Sequence, residues 1–254
     1  MQLSPIVAGT WRLNEWKLDT PALARWIEQV LELGITSFDH ADVYGGYSVE
    51  AAFGEALAAS PALRERLQLV TKCGIKLVSP ARPVHSIKHY DTSRAHITAS
   101  VENSLCALRT DRIDLLLIHR LDALMDPDEV AATFATLSQQ GKVLHFGVSN
   151  HLPPQFGMLH RRIALATHQI EFSPLQMAAL DDGTLDQTTD LGLPPMIWSP
   201  LGGGRLFRAQ DEQARRVRSV LEDLGSAHDG VCVDTSPSVE ADPDHRLRPH
   251  RRAA

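Results

Sequence analysis

The feature that most constrains this chain is an alternation. Seven times along its 254 residues a short apolar run gives way, after a brief connection, to apolar residues at helical spacing. The clearest run is 113–119, Ile-Asp-Leu-Leu-Leu-Ile-His, which is apolar on both faces, as a strand covered on both sides requires. Residues 3–10, 35–39, 67–73, 143–149, 166–172 and 196–198 are the other expected strands. Helical faces between them are marked by Leu23, Ile27, Val30 and Leu31, by Phe53, Ala56 and Leu57, by Ile97, Val101, Leu105 and Leu108, and by Val130, Phe134 and Leu137. Helices are also expected over 153–163, weakly over 184–191, and through Val217, Val220, Leu221 and Leu224 up to Gly225. Thr20 before Pro21, Ser48, and Asp126-Pro127 with Glu129 three residues on are the expected helix starts. Residues 77–92, rich in His, Ser and Pro, read as loop.

Strand and helix in strict alternation with short connections mean a parallel sheet covered by helices. Polar residues fall at the carboxyl ends of the strands: Asp39, Lys72, His119, Ser149, Gln169 and Ser199. In a (β/α)8 TIM-type barrel that rim is where active sites are built. A doubly wound open sheet would normally carry a GxGxxG turn after its first strand, and Gly9-Thr10-Trp11-Arg12 is not one. Asp114 starts its strand, so it belongs at the opposite, structural end.

Composition narrows the function. A net charge of −6, with Lys and Arg dispersed until the extreme C-terminus, speaks against nucleic acid as a partner. Cys73, Cys106 and Cys232 are odd in number and form no CxxC pair, which fits a reducing cytoplasm. No apolar run reaches the roughly 18 residues of a membrane span, and the N-terminus lacks a signal-peptide pattern. His85, His89 and His96 show no ligand spacing with a carboxylate, so no metal site is expected.

The stretch Phe38-Asp39-His40-Ala41-Asp42-Val43-Tyr44-Gly45-Gly46 puts an acid and a phenol five residues apart on a turn leaving a strand. Tyr44 reads as a proton donor and Asp39 as a supporting charge, with Lys72 and His119 as the cation and imidazole such chemistry needs. A phenol with an ordinary pKa near 10 is a poor acid at neutral pH, and the Lys72 ammonium is expected to lower it. Asp39 keeps Lys72 charged, and His119 can orient a carbonyl oxygen. Each residue has a plainer reading: turn cap, solvated lysine, core histidine. His40 and Asp42 read as loop residues beside the cleft, Cys73 and Cys106 as core, and Glu50 as a charge at a helix N-terminus. Trp11 is favoured for a substrate pocket, and Trp16 for the same pocket or simple packing.

Taken together, Phe38 to Gly45, Thr71-Lys72, the run from Ile113 to Arg120, Phe146-Gly147-Val148-Ser149-Asn150 and Trp198-Ser199-Pro200-Leu201-Gly202-Gly203-Gly204 resemble the aldo-keto reductases, and more narrowly a bacterial branch of predicted oxidoreductases. The resemblance implies a (β/α)8 barrel that binds NADPH without a Rossmann domain and reduces small aldehydes or ketones. It implies a tetrad of Asp39, Tyr44, Lys72 and His119. It also implies that Ser149, Asn150 and Gln169 hold the nicotinamide carboxamide, that Trp198 stacks on the ring, and that Ser199, Leu201 and Gly203 lie along the pyrophosphate. The Gly202-Gly203-Gly204 run leaves room for backbone to approach phosphates.

After about Val233 the pattern stops. Residues 1–230 are therefore expected to form a barrel truncated after its seventh unit, with 231–254, which have three prolines and no hydrophobic period, as a disordered tail. The loop expected to grip the adenosine 2′-phosphate would be missing. A catalytically impaired family member and a nucleotide-sensing binding subunit are the alternative expectations.

Overall fold

A computed structural model describes residues 1–208 and 211–227 of the chain. Its strands are β1 (Val7–Gly9), β2 (Ser37–Asp39), β3 (Gln68–Cys73), β4 (Ile75–Lys76), β5 (His89–Tyr90), β6 (Ile113–Ile118), β7 (Val143–Ser149), β8 (His168–Glu171) and β9 (Met196–Trp198). Its α-helices are α1 (Thr20–Glu32), α2 (Val49–Ala59), α3 (Arg94–Leu108), α4 (Pro127–Gln139), α5 (Pro153–His160), α6 (Ala178–Asp181), α7 (Thr184–Asp190), α8 (Arg205–Arg208) and α9 (Glu212–Ala227).

Seven strands form one sheet in the order β1-β2-β3-β6-β7-β8-β9. Each major strand lies beside the next in sequence, with parallel register running from Gly9 opposite Asp39 to Ser149 opposite Gln169. A curled parallel sheet alternating with helices is the (β/α)8 barrel type. The expected absence of an eighth unit after about residue 233 and the expected tail over 231–254 lie outside the described residues.

β6 shows why its sequence is continuously apolar. Leu115 and Leu117 face a cluster with Val70, Met196 and Val7. Leu116 and Ile118 face the opposite way, into a cluster with Ile97, Val101 and Phe134 of α3 and α4, which Ile113 joins at the strand's start. Burial on both faces leaves no polar position to alternate beyond Asp114 at the strand's start. A third cluster joins Ile27 and Val30 of α1 to Phe53 and Leu57 of α2 over Phe38. Helices α2 and α3 approach closely at Gly54, where an added Cβ would lie 2.0 Å from Ala107 O. Asp114 sits at the far end of β6, paired with Arg64 at 3.0 Å and accepting from Leu69 N at 2.9 Å.

Several local expectations are corrected. The cap of α1 is Asp19, whose Oδ1 accepts from Ala22 N at 2.8 Å, because Thr20 is already helical. Ser48 holds the N-cap position of α2 but makes no side-chain capping bond; its hydroxyl donates to Gly45 O at 2.8 Å and accepts from Asn14. Asp126 does cap α4, accepting from Asp128 and Glu129 N, whereas the Glu129 carboxylate accepts from Arg94 N instead of closing a capping box. Residues 77–92 are not wholly loop: β5 pairs antiparallel with β4, with Ile75 opposite Tyr90. Cys106 is exposed on α3, not core.

The chain divides into two compact units, one of residues 1–170 and 179–196, the other of 171–178 and from 197 onward. In the second, Leu175, Leu206 and Ala214 form a small core with Phe207, Val217 and Leu221. Val220 and Leu224, expected on the buried face of α9, are exposed, and Gly225 lies within the helix instead of ending it. Among the described residues, no helix is long and apolar enough to cross a membrane.

Candidate active site

Parallel register brings the polar strand ends together. Asp39 closes β2 and Ser149 closes β7, Lys72 is next to last in β3, Gln169 is second in β8, and His119 follows β6. Lys72 is 1% exposed. Its ammonium donates to Asp39 Oδ2 at 2.7 Å, to His40 O at 2.7 Å and to Tyr44 Oη at 3.0 Å. Those three acceptors use all three of its N–H groups.

Tyr44 is presented by a tight turn. Its N–H bonds Ala41 O at 3.0 Å, and the next residue, Gly45, has φ +58 with no room for a Cβ, which would lie 2.3 Å from Asn14 Nδ2. The phenol ring meets the His119 ring edge-on, with centroids 6.0 Å apart. The structure therefore brings together all four expected catalytic residues.

Their electrostatics differ in one respect from the sequence expectation. Burial alone would pull the Lys72 ammonium down, but Asp39 and Tyr44 outweigh it and leave it above its ordinary value. Burial pushes the Tyr44 phenol up, and Asp39 adds to that. Lys72 opposes both without overcoming them, so the net shift is upward, not the lowering expected. Burial, with the Lys72, Arg120 and Lys88 charges, drives His119 well below the usual histidine range, so its imidazole is neutral at neutral pH. His119 Nδ1 is buried without a hydrogen-bond partner.

The amide set is continuous with this group. Asn150 Nδ2 donates to Ser149 Oγ at 2.7 Å, Ser149 Oγ donates to Gln169 Oε1 at 3.3 Å, and Gln169 Nε2 donates to Asp39 Oδ1 at 3.1 Å. Amide and hydroxyl groups that both donate and accept suit a carboxamide, which needs an acceptor for its NH2 and a donor for its oxygen. The Gln169–Asp39 bond was missed from sequence; the signal for it was that both residues lie toward the carboxyl-end rim of parallel strands.

In the second unit, Trp198 closes β9 and is half-buried. Ser199 (φ +50), Gly202 (φ +60), Gly203 (φ +63) and Gly204 (φ +91) are left-handed, and Leu201 is exposed. Gly202 N bonds Ser199 O at 2.8 Å. Trp11, on the loop after β1, is 58% exposed with the Arg12 guanidinium 5.3 Å over its ring, while Trp16 packs on Trp26 at 5.2 Å.

Three neighbours are deeper than expected. His40 is fully buried, with Nδ1 2.9 Å from Thr10 Oγ1 and its ring edge-on to Phe53; burial, helped by Lys72, lowers its pKa to about 3. Glu50 does lie in the first turn of α2, as expected, but its carboxylate is buried and accepts from Thr71 and Ser104. Asp42 lines a cavity of about 180 Å³ with Glu50, Tyr47, His85, His96 and Ser100. Among the described residues, no group of three His, Cys, Asp or Glu side chains is placed to hold a metal ion.

A family model described as the aldo/keto reductase family matches residues 5–233. The chain is 52% identical over 236 residues to the oxidoreductase YcsN of Bacillus subtilis, covering 92% of this chain and 79% of that protein. It is 44% identical over 210 residues to a 6-dehydroglucose reductase of Agrobacterium fabrum, covering 82% and 71%. The solved structure of the glycerol dehydrogenase AKR11B4 from Gluconobacter oxydans is similar with a TM-score of 0.76 at 26% identity, covering 91% of this chain and 76% of that one.

Proposed function

The chain belongs to the aldo/keto reductase family and is an oxidoreductase, and from that premise we propose that it reduces the carbonyl of a small aldehyde or ketone to the alcohol, with NADPH as cofactor and Tyr44 as proton donor. The observation that carries this reading is the buried Lys72 ammonium bound at once to Asp39 and to the Tyr44 hydroxyl.

When bound, the nicotinamide supplies the hydrogen and electron pair for the carbonyl carbon. The rest of the chemistry belongs to the side chains. The alkoxide oxygen needs a proton, and Tyr44, whose phenol stays protonated at neutral pH, carries it. Giving it up creates a phenolate 3.0 Å from Lys72. In a dry site that ion pair is far stronger than in water. Asp39 keeps Lys72 charged before and after the transfer. His119, neutral and edge-on to Tyr44, donates a hydrogen bond to the carbonyl oxygen without competing as an acid.

Ser149, Asn150 and Gln169 would hold the carboxamide, Trp198 would back the nicotinamide ring, and Ser199, Leu201 and Gly203 would follow the pyrophosphate. Trp11 would line the substrate pocket. The names of the two relatives above, which concern 6-dehydroglucose and glycerol, support a polyhydroxylated carbonyl compound as the substrate class, and the reaction is assigned to the cytoplasm. Residues 1–230 are proposed as the reductase domain. The expectation that the loop gripping the 2′-phosphate, and with it the basis for choosing NADPH over NADH, is missing after about residue 233 concerns residues outside the described ones.

The test is loss of NADPH absorbance with a panel of aldoses, oxo-sugars, glyceraldehyde and dihydroxyacetone. Turnover that disappears in Tyr44→Phe is expected. A chain that neither binds NADPH nor reduces any of the panel overturns the reading. Tight NADPH retention without turnover would favour a nucleotide-sensing subunit, against which the joined Asp39, Lys72 and Tyr44 argue.

A further inference from the structure

Behind the amide set lies a buried pair of histidines that the chemistry above does not use. His168 and Gln169 are adjacent in β8, so their side chains leave opposite faces. Gln169 reaches Asp39, while His168 turns the other way and stacks on Phe156 of α5 with ring centroids 5.2 Å apart. The partner strand β7 ends at Ser149, and Asn150 then adopts a left-handed φ of +58. That conformation is strained for a residue with a side chain and persists only where neighbours hold it.

Several bonds hold this turn, among them three that involve its backbone. Asn150 N donates to Gln169 O at 2.9 Å, His151 Nδ1 donates to Ser149 O at 2.9 Å, and His151 N donates to His168 Nε2 at 3.1 Å. Of the three, the last comes from a side chain on the neighbouring strand. We propose that His168 is a positioning residue for the cofactor: its Nε2 clasps the His151 backbone and fixes the turn that presents Ser149 and Asn150. The proposal rests on the reading that those two residues, with Gln169, hold a nicotinamide carboxamide.

Two observations favour a positioning role over simple packing. His168 is fully buried, and because Nε2 accepts, its hydrogen sits on Nδ1, which has no partner. A buried unmet N–H is destabilising, so an apolar ring would serve packing better than an imidazole does. Burial, reinforced by His151, lowers the His168 pKa to about 4, which keeps the accepting lone pair free at neutral pH.

Two variants of the full chain separate acceptor from ring. His168→Phe keeps the stacking on Phe156 and lacks the acceptor; His168→Gln keeps an acceptor of similar reach and lacks the ring. Both are read by NADPH fluorescence titration and by hydrogen exchange of the segment containing His151, with a thermal melt as a folding control. In His168→Phe, NADPH is expected to bind about tenfold more weakly, the size of effect one lost hydrogen bond and one orphaned N–H give, and exchange at His151 is expected to quicken. His168→Gln is expected to stay near wild type in both. Unchanged binding in His168→Phe, or an equal loss in both variants, overturns the proposal. If wild type itself binds no NADPH, the proposed function fails, and exchange alone decides the clasp: equal exchange in all three proteins overturns it.

Discussion

Gln169 donates its side-chain amide to one oxygen of Asp39 at 3.1 Å while Lys72 holds the other at 2.7 Å. One carboxylate thus joins the proposed cofactor-holding set to the proton-donating set. Gln169→Leu should therefore do more than weaken cofactor binding. It strips a partner from a half-buried carboxylate, so both the NADPH dissociation constant and kcat should worsen, each by about tenfold for one lost charge-assisted bond. Ser149→Ala, which does not touch Asp39, should affect mainly the dissociation constant. Titration and steady-state kinetics on both variants check this; an unchanged kcat in Gln169→Leu would disconnect the two sets.

The Asp39–Lys72 pair should show strong coupling in stability. Lys72 is almost fully buried, and Asp39→Asn would leave its ammonium without a counter-charge. Removing one partner of a buried pair costs about 3–5 kcal/mol, whereas replacing both can be nearly neutral. Asp39→Asn should thus lower the urea midpoint sharply, and adding Lys72→Met should recover most of the loss. A double variant as unstable as the sum of the singles would show that the pair is not coupled.

What the sequence revealed and what it hid follow from distance along the chain. Strand order was legible because each major strand pairs with its sequence neighbour, and the bounds of β7 and β9 match the apolar runs. Lys72 and His119 were legible as site residues because parallel register aligns strand ends. The β4–β5 ribbon was not, since strands of two residues carry no periodicity. The Gln169–Asp39 bond spans 130 positions, and only the curl of the sheet closes it. His40 reads as a loop residue beside the cleft and Glu50 as a charge at a helix end; their depth is hidden because the hydroxyls they bond, on Thr10, Thr71 and Ser104, belong to other segments. The upward shift of Tyr44 depends on depth of burial, which a charge at a known spacing does not reveal.

Burial of neutral His40 gives a pH dependence of definite sign. Its folded pKa of about 3 lies below the unfolded value near 6.5. Between those values the unfolded chain takes up a proton that the folded chain refuses, so this contribution to stability falls as pH falls, by up to about 1.4 kcal/mol per pH unit. His40→Asn does not titrate there. The stability advantage of wild type over His40→Asn should shrink between about pH 6.5 and 4. Parallel urea curves at several pH values measure it, and a constant gap would show that His40 is not held neutral. Buried Asp42 and Glu50, raised by burial, act with the opposite sign but are common to both proteins and cancel in the difference.

The same reasoning sets the pH profile of turnover. Tyr44 must be protonated to deliver its proton, and burial holds its phenol above the ordinary value of 10. Carbonyl reduction should be flat through neutrality and fall only at strongly alkaline pH, while alcohol oxidation, which needs the phenolate, should rise toward that range. His119 should add no limb near its ordinary 6.5, because burial and the neighbouring cations keep it neutral far below that. Lys72 pulls the phenol down through both its charge and its 3.0 Å hydrogen bond, with a smaller pull from the Arg120 charge. In Lys72→Met the alkaline limb should therefore move to still higher pH, alongside a fall in kcat of about 10²-fold or more from loss of phenolate stabilisation. Profiles of kcat/KM for wild type and Lys72→Met decide this: a limb that stays in place when Lys72 is removed would mean that a group other than Tyr44 donates the proton.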